Sequence, residues 1–243
     1  MNETDLELKL LYGCPIPIEG VGMMLPPKLA DIIKLGETNY NQFLSTLLFD
    51  KDNIDLASEA AEYNNLQILC SYCYHHEDFR TITLQAIEFF FKEKAHLGYD
   101  ESNVFFYFGS ELENRKIDNE KLDLIQFVLK KMNFFKTSKE PEYNPANSKA
   151  KQMIDLIMKN KKNKPKPKET MNLHSIISGM AWKSNNVNII NVFDLTIYQL
   201  YQGFRVMENI DNYEHTLTGI YSGNVNSKEI NFSQLHWAKI IES

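Results

Sequence analysis

The chain has 243 residues, of which 43% are hydrophobic, and it contains only 10 Gly and 8 Pro. This composition excludes a disordered or collagen-like chain, and the length suffices for one large domain or two smaller ones. The formal net charge of −6 argues against a general nucleic-acid binder, because affinity for polyphosphates comes mainly from Lys and Arg.

Targeting signals are not evident in the sequence. The first residues are acidic and lack the basic start and apolar stretch of a signal peptide. No apolar run approaches the roughly 18 residues that a membrane-spanning helix needs. The three cysteines, Cys14, Cys70 and Cys73, are odd in number, which argues against a disulfide framework. We therefore expect a cytoplasmic protein that does not contact a membrane.

Residues 1–140 are predicted to form an α+β domain in which helices predominate. Leu6, Leu8 and Leu10 alternate with charged residues, so residues 6–25 are predicted to form short strands separated by Gly and Pro turns. The pair Pro26-Pro27 then opens a helix that ends at Gly36.

More helices and two strands follow before residue 136, predicted from capping residues and from the spacing of apolar residues. The predicted helices are Tyr40–Phe49, a helix capped by Asp52-Asn53 that continues to about Tyr72, a helix that begins at Asp78, and Asn119–Phe135. The predicted strands are Val104–Phe108 and Asn114–Ile117, which can pair with each other.

Residues 141–170 are predicted to be a helix followed by a lysine-rich linker. Asn144 and Pro145 form a helix start, and the segment Lys159–Lys168 then has six lysines in ten residues. Asn and Pro separate these lysines, so the segment cannot form an apolar face and is predicted to be a solvated tether. Residues 1–158 carry 16 basic and 25 acidic side chains, a net of −9, whereas residues 159–170 carry six and one, a net of +5.

Residues 171–243 are predicted to form a small, mainly helical domain. A short helix over Leu173–Ala181 is followed by a longer one that Asp194 caps. Leu217–Tyr221 is predicted to be a short strand, and Ser233–Ile241 a last helix capped by Ser233. The longer helix has an apolar seam with spacings of 4, 3, 4 and 3. The seam residues are Phe193, Ile197, Leu200, Phe204 and Met207.

A Cys-x-x-Cys pair followed by two histidines is the strongest candidate for a metal or thiol site. Cys70 and Cys73 could place two thiolates on one zinc ion, and His75 and His76 could complete the ligand set. However, the sequence has no second ligand pair at zinc spacing. The alternative is that both cysteines lie on the buried face of a helix, where free Cys behaves as a small hydrophobe.

The C-terminal part contains aromatic residues that are suited to protein contacts, because a tyrosine offers a large apolar surface with a polar tip. The candidates for partner contact are Tyr198, Tyr201, Phe204 and Tyr221. The alternative is that these residues form the core of the C-terminal part.

Sequence signatures of enzymes are missing. The chain has no phosphate-binding glycine loop, no Gly-x-Ser-x-Gly elbow and no His-Glu-x-x-His motif. We therefore predict a non-enzymatic protein with no cofactor, no catalytic residues and no firm metal site.

Three segments resemble proteins of tailed-phage and prophage tail-assembly clusters. They are Leu25-Pro-Pro-Lys-Leu-Ala-Asp-Ile-Ile33, Tyr143-Asn-Pro-Ala-Asn-Ser-Lys-Ala-Lys151 and Asp194-Leu-Thr-Ile-Tyr-Gln-Leu-Tyr201. The similarity is loose and covers most of the chain, and the last segment is its most specific piece. The family that it resembles best is the tail assembly chaperones, which have an N-terminal domain, a linker and a small C-terminal domain.

The resemblance implies a chaperone in the host cytoplasm whose N-terminal domain coats the tape measure protein and whose C-terminal domain recruits tail tube subunits. Self-association stays open, and neither a membrane nor nucleic acid is expected as a partner. An exposed apolar groove in residues 26–135 would support this function. The alternatives are a structural component of the tail, neck or baseplate of the virion, or a small metal- or thiol-dependent enzyme built on Cys70, Cys73, His75 and His76.

Overall fold

The computed structural model describes residues 2–51, 62–99, 104–109, 115–135 and 171–241. The architecture is a mainly helical α+β fold with short strands in its N-terminal region, as predicted. The predicted helix over residues 145–158, the lysine tract and the cap at residues 52 and 53 lie outside the described residues. Among the described helices, none is both long and apolar enough to cross a bilayer.

The chain begins with helix α1, Glu3–Tyr12, so the prediction of a strand around Leu6, Leu8 and Leu10 is wrong. Asn2 caps the helix through its side chain, and Gly13 ends it with a φ of 82°. Leu6 and Leu10 are buried one turn apart, whereas Leu8 is 60% exposed. Leu6 and Leu10 are four residues apart and lie on the same face of the helix, whereas Leu8 between them faces solvent. The leucine spacing therefore resembled strand alternation although it belongs to a helix.

Two short strands follow, β1 (Ile16–Ile18) and β2 (Gly22–Met24), paired antiparallel. The side chain of Arg115 fastens this hairpin to the rest of the fold. Its Nε and Nη2 atoms donate to the carbonyl oxygen of Val21, and its guanidinium binds the carboxylate of Glu93. This ion pair lowers the pKa of the Glu93 carboxyl.

Four helices of the N-terminal part pack on one another. They are α2 (Leu29–Leu35), α3 (Glu37–Leu47), α4 (Asn65–His75) and α5 (Glu77–Phe91). Gly36 has a φ of 91° between α2 and α3, which confirms the predicted helix end. Helix α4 begins later than predicted, because Asn64 and Gln67 form a capping box at its start.

A three-stranded antiparallel sheet has the order β3–β4–β5. Strands β4 (Val104–Phe108) and β5 (Arg115–Ile117) pair as predicted, whereas β3 (Ala95–Tyr99) was not predicted. Helix α6 (Asn119–Met132) follows the sheet. Its buried Lys131 forms ion pairs with Glu3 and Glu7, so α6 is tied to α1.

The described C-terminal residues contain helices α7 (Leu173–Lys183), α8 (Ile197–Tyr221) and α9 (Phe232–Leu235). Thr196 rather than Asp194 caps α8, since its side chain accepts a hydrogen bond from the N–H of Gln199. The predicted strand Leu217–Tyr221 is wrong, because these residues form the last turns of α8. The last helix is shorter than predicted and is capped by Asn231 rather than Ser233.

A single hydrophobic core includes residues from both sides of the undescribed segment 136–170. The extended residues before α2 pair with those before α8. The N–H of Leu29 donates to the oxygen of Leu195 at 2.8 Å, and the N–H of Ile197 donates to the oxygen of Pro27 at 3.1 Å. Lys28 and Asp194 also form an ion pair at 3.6 Å. Two of the three segments that carry the phage resemblance therefore contact each other.

Candidate partner-binding surface

The first turns of α8 are anchored in the core by aromatic contacts. The ring of Tyr198 stacks on that of Phe134, with centroids 5.1 Å apart, and the ring of Tyr201 meets Phe134 edge-on at 6.1 Å. The guanidinium carbon of Arg205 lies 4.5 Å from the centroid of the same Phe134 ring, which is a cation–π contact. Ile197 and Leu200 are buried beside them. The predicted seam of α8 thus serves to attach the helix to the N-terminal part.

Past Met207, no apolar residue of α8 belongs to the core or packs against it. The helix has 25 residues, which corresponds to a length of about 37 Å. Its buried residues are Ile197, Tyr198 and Leu200. Every described side chain from residue 201 to residue 241 is partly or fully exposed. We call residues 208–241 the C-terminal extension.

The extension consists of the end of α8 and a tail that folds back along it. Gly223 has a φ of 76°, and the N–H groups of Asn224 and Val225 both donate to the oxygen of Gly219. Further along, the ring of His236 lies 5.6 Å from that of Tyr213. The tail therefore covers part of the helix, but the described side chains of the extension all stay at least partly exposed.

Exposed apolar side chains are numerous in this C-terminal part. Nine large hydrophobic residues are exposed in residues 171–241, six in the described part of residues 26–135 and four in residues 2–25. The most exposed of the nine are Ile240 (91%), Ile190 (86%), Tyr221 (83%) and Trp182 (79%). Covering one such side chain with a partner would contribute about 1.5–3 kcal/mol, so this surface favours protein contact.

The four aromatic residues predicted to bind a partner lie in different environments. Tyr198 is buried, and burial together with the nearby Glu7 raises its pKa to about 12. Tyr201 and Phe204 are partly buried and pack against the core, and burial also raises the pKa of Tyr201. Tyr221 is exposed at the end of α8. Of the four, Tyr221 is therefore the one whose ring is open to a partner.

The cysteines and histidines of the predicted metal site point in different directions. Cys70 and Cys73 are buried on α4, and the thiol of Cys73 donates to the hydroxyl of Thr83 at 3.4 Å. Burial raises the pKa of both thiols. His75 and His76 are exposed and lie against the rings of Tyr74 and Tyr72. Within the described ranges, no three Cys, His, Asp or Glu side chains cluster as metal ligands.

A small cleft lies where the N-terminal and C-terminal parts meet. Its volume is roughly 100 Å³, whereas ligand sites usually measure about 300–1,000 Å³. The hydroxyl of Tyr40 donates to the Oδ1 atom of Asn133 in its wall at 2.7 Å. Phe135 and Leu173 also line it.

Sequence patterns did not identify the most exposed residues of the surface. Trp182 directly follows the predicted helix Leu173–Ala181, and Ile190 lies in the connection after it. The sequence positions of these two apolar residues do not distinguish them from residues of the core. Trp237 was assigned to a predicted helix, whereas it follows α9 and stacks on His236 with centroids 5.5 Å apart. One sequence feature does indicate exposure: residues 171–243 contain more apolar residues than so short a segment can bury by itself.

Comparison with known protein families gives a match in the C-terminal third of the chain. No curated protein and no solved structure matches the chain. Residues 160–242 match the family model of the YomV second domain. These residues include α7, α8 and the C-terminal extension, so the surface described above lies within the matched region. The C-terminal third of the chain is therefore similar to the YomV second domain.

Proposed function

We propose that the protein is a non-enzymatic phage tail assembly chaperone that holds the tape measure protein and tail tube subunits during virion assembly. The observation that carries the proposal is the C-terminal extension, which contains the end of α8 and whose described side chains are all at least partly exposed. Such a segment exposes apolar side chains that only a partner can cover. The prophage association of the YomV family and the resemblance of residues 194–201 support the phage setting.

The physical mechanism is the masking of apolar surface. A tape measure protein in the cytoplasm exposes apolar helical segments before the tail tube surrounds it, and a groove or helix face with apolar anchors binds such segments. Trp237, Ile240 and Tyr221 supply anchors of this kind on the extension.

The first experiment is co-expression with the tape measure protein encoded in the same phage or prophage genome. The amount of soluble tape measure protein that co-purifies is measured for the wild type and for the double variant Trp237→Ser, Ile240→Ser. We expect the double variant to lose most of the co-purified tape measure protein. The matched control is Ile33→Ser, which replaces an exposed residue of α2 and should change nothing.

The second experiment separates the chaperone from the structural alternative. Mass spectrometry of purified mature particles should not detect a chaperone, because it leaves before the virion is complete. If the protein is present in mature particles in stoichiometric amount, it is a structural virion component and the chaperone proposal fails. Failure of wild-type protein to bind the tape measure protein would contradict the proposal as well.

A further inference from the structure

The three-stranded sheet has two outer strands, β3 and β5, which differ in the charge of their side chains. β5 contains Arg115 and Lys116, whereas β3, Ala95–Tyr99, contains no Asp, Glu, Lys or Arg. β3 also contains no Pro, and its register with β4 is unbroken over all of its residues. Charged side chains, Pro and bulges are the usual features that prevent an outer strand from pairing with another chain. β3 has none of them.

The backbone of β3 is available for pairing on the side away from β4. Among the described residues, no strand pairs with β3 on that side. At the start of the strand, the N–H of Ala95 donates to the carboxylate of Glu88 at 3.4 Å. In the described part of the chain, residues 96–99 form their main-chain hydrogen bonds with β4 alone. A further extended strand can therefore add main-chain hydrogen bonds to this edge.

The side chains of β3 are complementary to those of a second copy of the same strand. When two copies pair antiparallel with Leu97 opposite Leu97, Tyr99 of each copy lies opposite Ala95 of the other, and His96 lies opposite Gly98. The side chain of Tyr99 is 78% exposed, and in this pairing it lies beside the methyl group of Ala95. Tyrosine and histidine thus each face one of the two smallest residues of the strand.

This register is also the one that uses the whole strand. Successive side chains of a strand point to opposite faces, so a shift by one residue would place the two cores on opposite faces of the joined sheet. A shift by two residues would leave two residues of each β3 without a partner. Pairing about Leu97 keeps both cores on one face and pairs every residue of β3.

Aromatic rings stand beside Gly98 on the outer face of the sheet. A Cβ atom at this position would lie 2.8 Å from Cε2 of Phe105 and 3.0 Å from Cδ1 of Tyr107, so the two rings lie over the glycine. Within one copy, the ring of His96 already stacks on that of Tyr107 with centroids 5.3 Å apart. In the pairing about Leu97, the second copy's His96 would lie opposite Gly98, next to these rings, and would continue the aromatic row across the edge.

We propose that the protein forms a symmetric dimer in which β3 of two copies pair antiparallel about Leu97. The pairing joins two three-stranded sheets into one continuous sheet, and the same patch of both copies forms the contact. Because β3 is short, the interface is small and the dimer depends on protein concentration. The dimer does not involve the C-terminal extension and does not depend on the tail chaperone function.

The first test is a disulfide that this register allows and others do not. Opposite residues of antiparallel strands have Cα atoms about 4.5–5.5 Å apart, which is within reach of a disulfide. In a full-length Cys14→Ser background, which lacks the partly exposed native thiol, oxidised Leu97→Cys should run as a covalent dimer on a non-reducing gel. Tyr99→Cys should stay monomeric, because its two copies would lie roughly 14 Å apart.

The second test is sedimentation velocity of the full-length protein between about 1 and 200 µM. We expect the wild type to shift from monomer to dimer over this range. Tyr99→Ser should raise the Kd about tenfold or more, because each dimer loses two tyrosine contacts. The matched control is Tyr12→Ser, which replaces a tyrosine of similar exposure on α1 and should dimerise like the wild type. Circular dichroism checks that each variant is folded.

Three results would overturn the proposal. The first is a wild type that stays monomeric at about 200 µM. The second is cross-linking of Tyr99→Cys as efficient as that of Leu97→Cys, since the strands would then pair in another register or not at all. The third is a dimer that Tyr99→Ser leaves intact and that the double variant Trp237→Ser, Ile240→Ser abolishes, because the C-terminal extension would then form the contact.

Discussion

Tyr40 and Asn133 are joined by a buried hydrogen bond of 2.7 Å across 93 residues of sequence. The amide of Asn133 also donates to the oxygen of Leu129 at 2.9 Å. We expect Tyr40→Phe to lower the free energy of unfolding by about 1–2 kcal/mol, because the Oδ1 atom of Asn133 loses its donor. Urea unfolding measures the change. Tyr99→Phe removes an exposed hydroxyl and should stay within about 0.5 kcal/mol of the wild type.

The thiols of Cys70 and Cys73 should be unreactive in the folded protein. Burial raises the pKa of both, and the thiolate is the form that reacts. With Ellman's reagent at pH 8 we expect fast reaction of the partly exposed Cys14 alone, and reaction of all three cysteines in denaturant. Rapid modification of Cys70 or Cys73 in the native protein would revive the thiol-enzyme alternative.

The same pKa shifts predict a loss of stability at alkaline pH. The folded protein keeps its Cys70 proton at a pH where the unfolded chain, with an ordinary thiol pKa of 9.0, has already lost it. Above about pH 9 the unfolded state therefore binds fewer protons, and the free energy of unfolding falls as the pH rises. Unfolding in urea at pH 8 and pH 10 tests this. The variant Cys70→Ala should show a smaller difference between the two.

Residue-level prediction from sequence succeeded where the cause is local. The helical spacing of Cys70 and Cys73 among apolar residues of α4 indicated burial, and both thiols are buried. The bond between Tyr40 and Asn133 could not be predicted, since nothing near either residue points to the other. The stacking of the His96 ring on the Tyr107 ring was missed for the same reason, because His96 lies on a strand that was not predicted and its neighbour Tyr107 is identified only by the register of β3 and β4.

At the level of elements, capping and turn residues predicted the existence of helices better than their first residues, since Thr196 rather than Asp194 caps α8 and Asn231 rather than Ser233 caps the last helix. Gly36 ends α2 as expected, and α6 has the predicted 3–4 spacing. Alternation misled at α1 and again at Leu217–Tyr221, where a mixed apolar sequence belongs to the solvated end of a long helix. Apolar periodicity identifies a helix when one of its faces is buried. The end of α8 has no buried face among its described residues.

The extension should contribute little to stability because it contains no buried residue. We expect a truncated chain that ends at Ser222 to have a free energy of unfolding within about 1 kcal/mol of that of the full chain. We also expect it to lose binding of the partner that contacts the extension. As a control, Leu200→Ala removes a fully buried side chain from the start of α8 and should cost about 2–5 kcal/mol. Chemical denaturation measures both. A large loss on truncation would mean that the tail supports the core.

On the scale of the whole molecule, the sequence predicted three parts divided at residues 141–170. That boundary stays a prediction, because residues 136–170 lie outside the described part of the chain. What the sequence did not indicate is that the described residues on its two sides share a core. The pairing of residues 27–29 with residues 195–197 joins segments more than 160 residues apart, and no local pattern encodes such a contact.

The shared core predicts that the two parts associate without a covalent connection. Residues 1–136 and 171–243, co-expressed as separate chains, should co-purify in equal amounts, because Ile197, Tyr198 and Leu200 are buried together with residues of the N-terminal part. Size-exclusion chromatography with mass analysis measures the association. Leu200→Asp in the shorter chain should abolish it by placing an unpaired charge in the core. If the unmodified shorter chain instead elutes alone and unfolds cooperatively, residues 171–243 are an independent domain, and the contacts with α1, α2 and α6 are too weak to hold the two parts together.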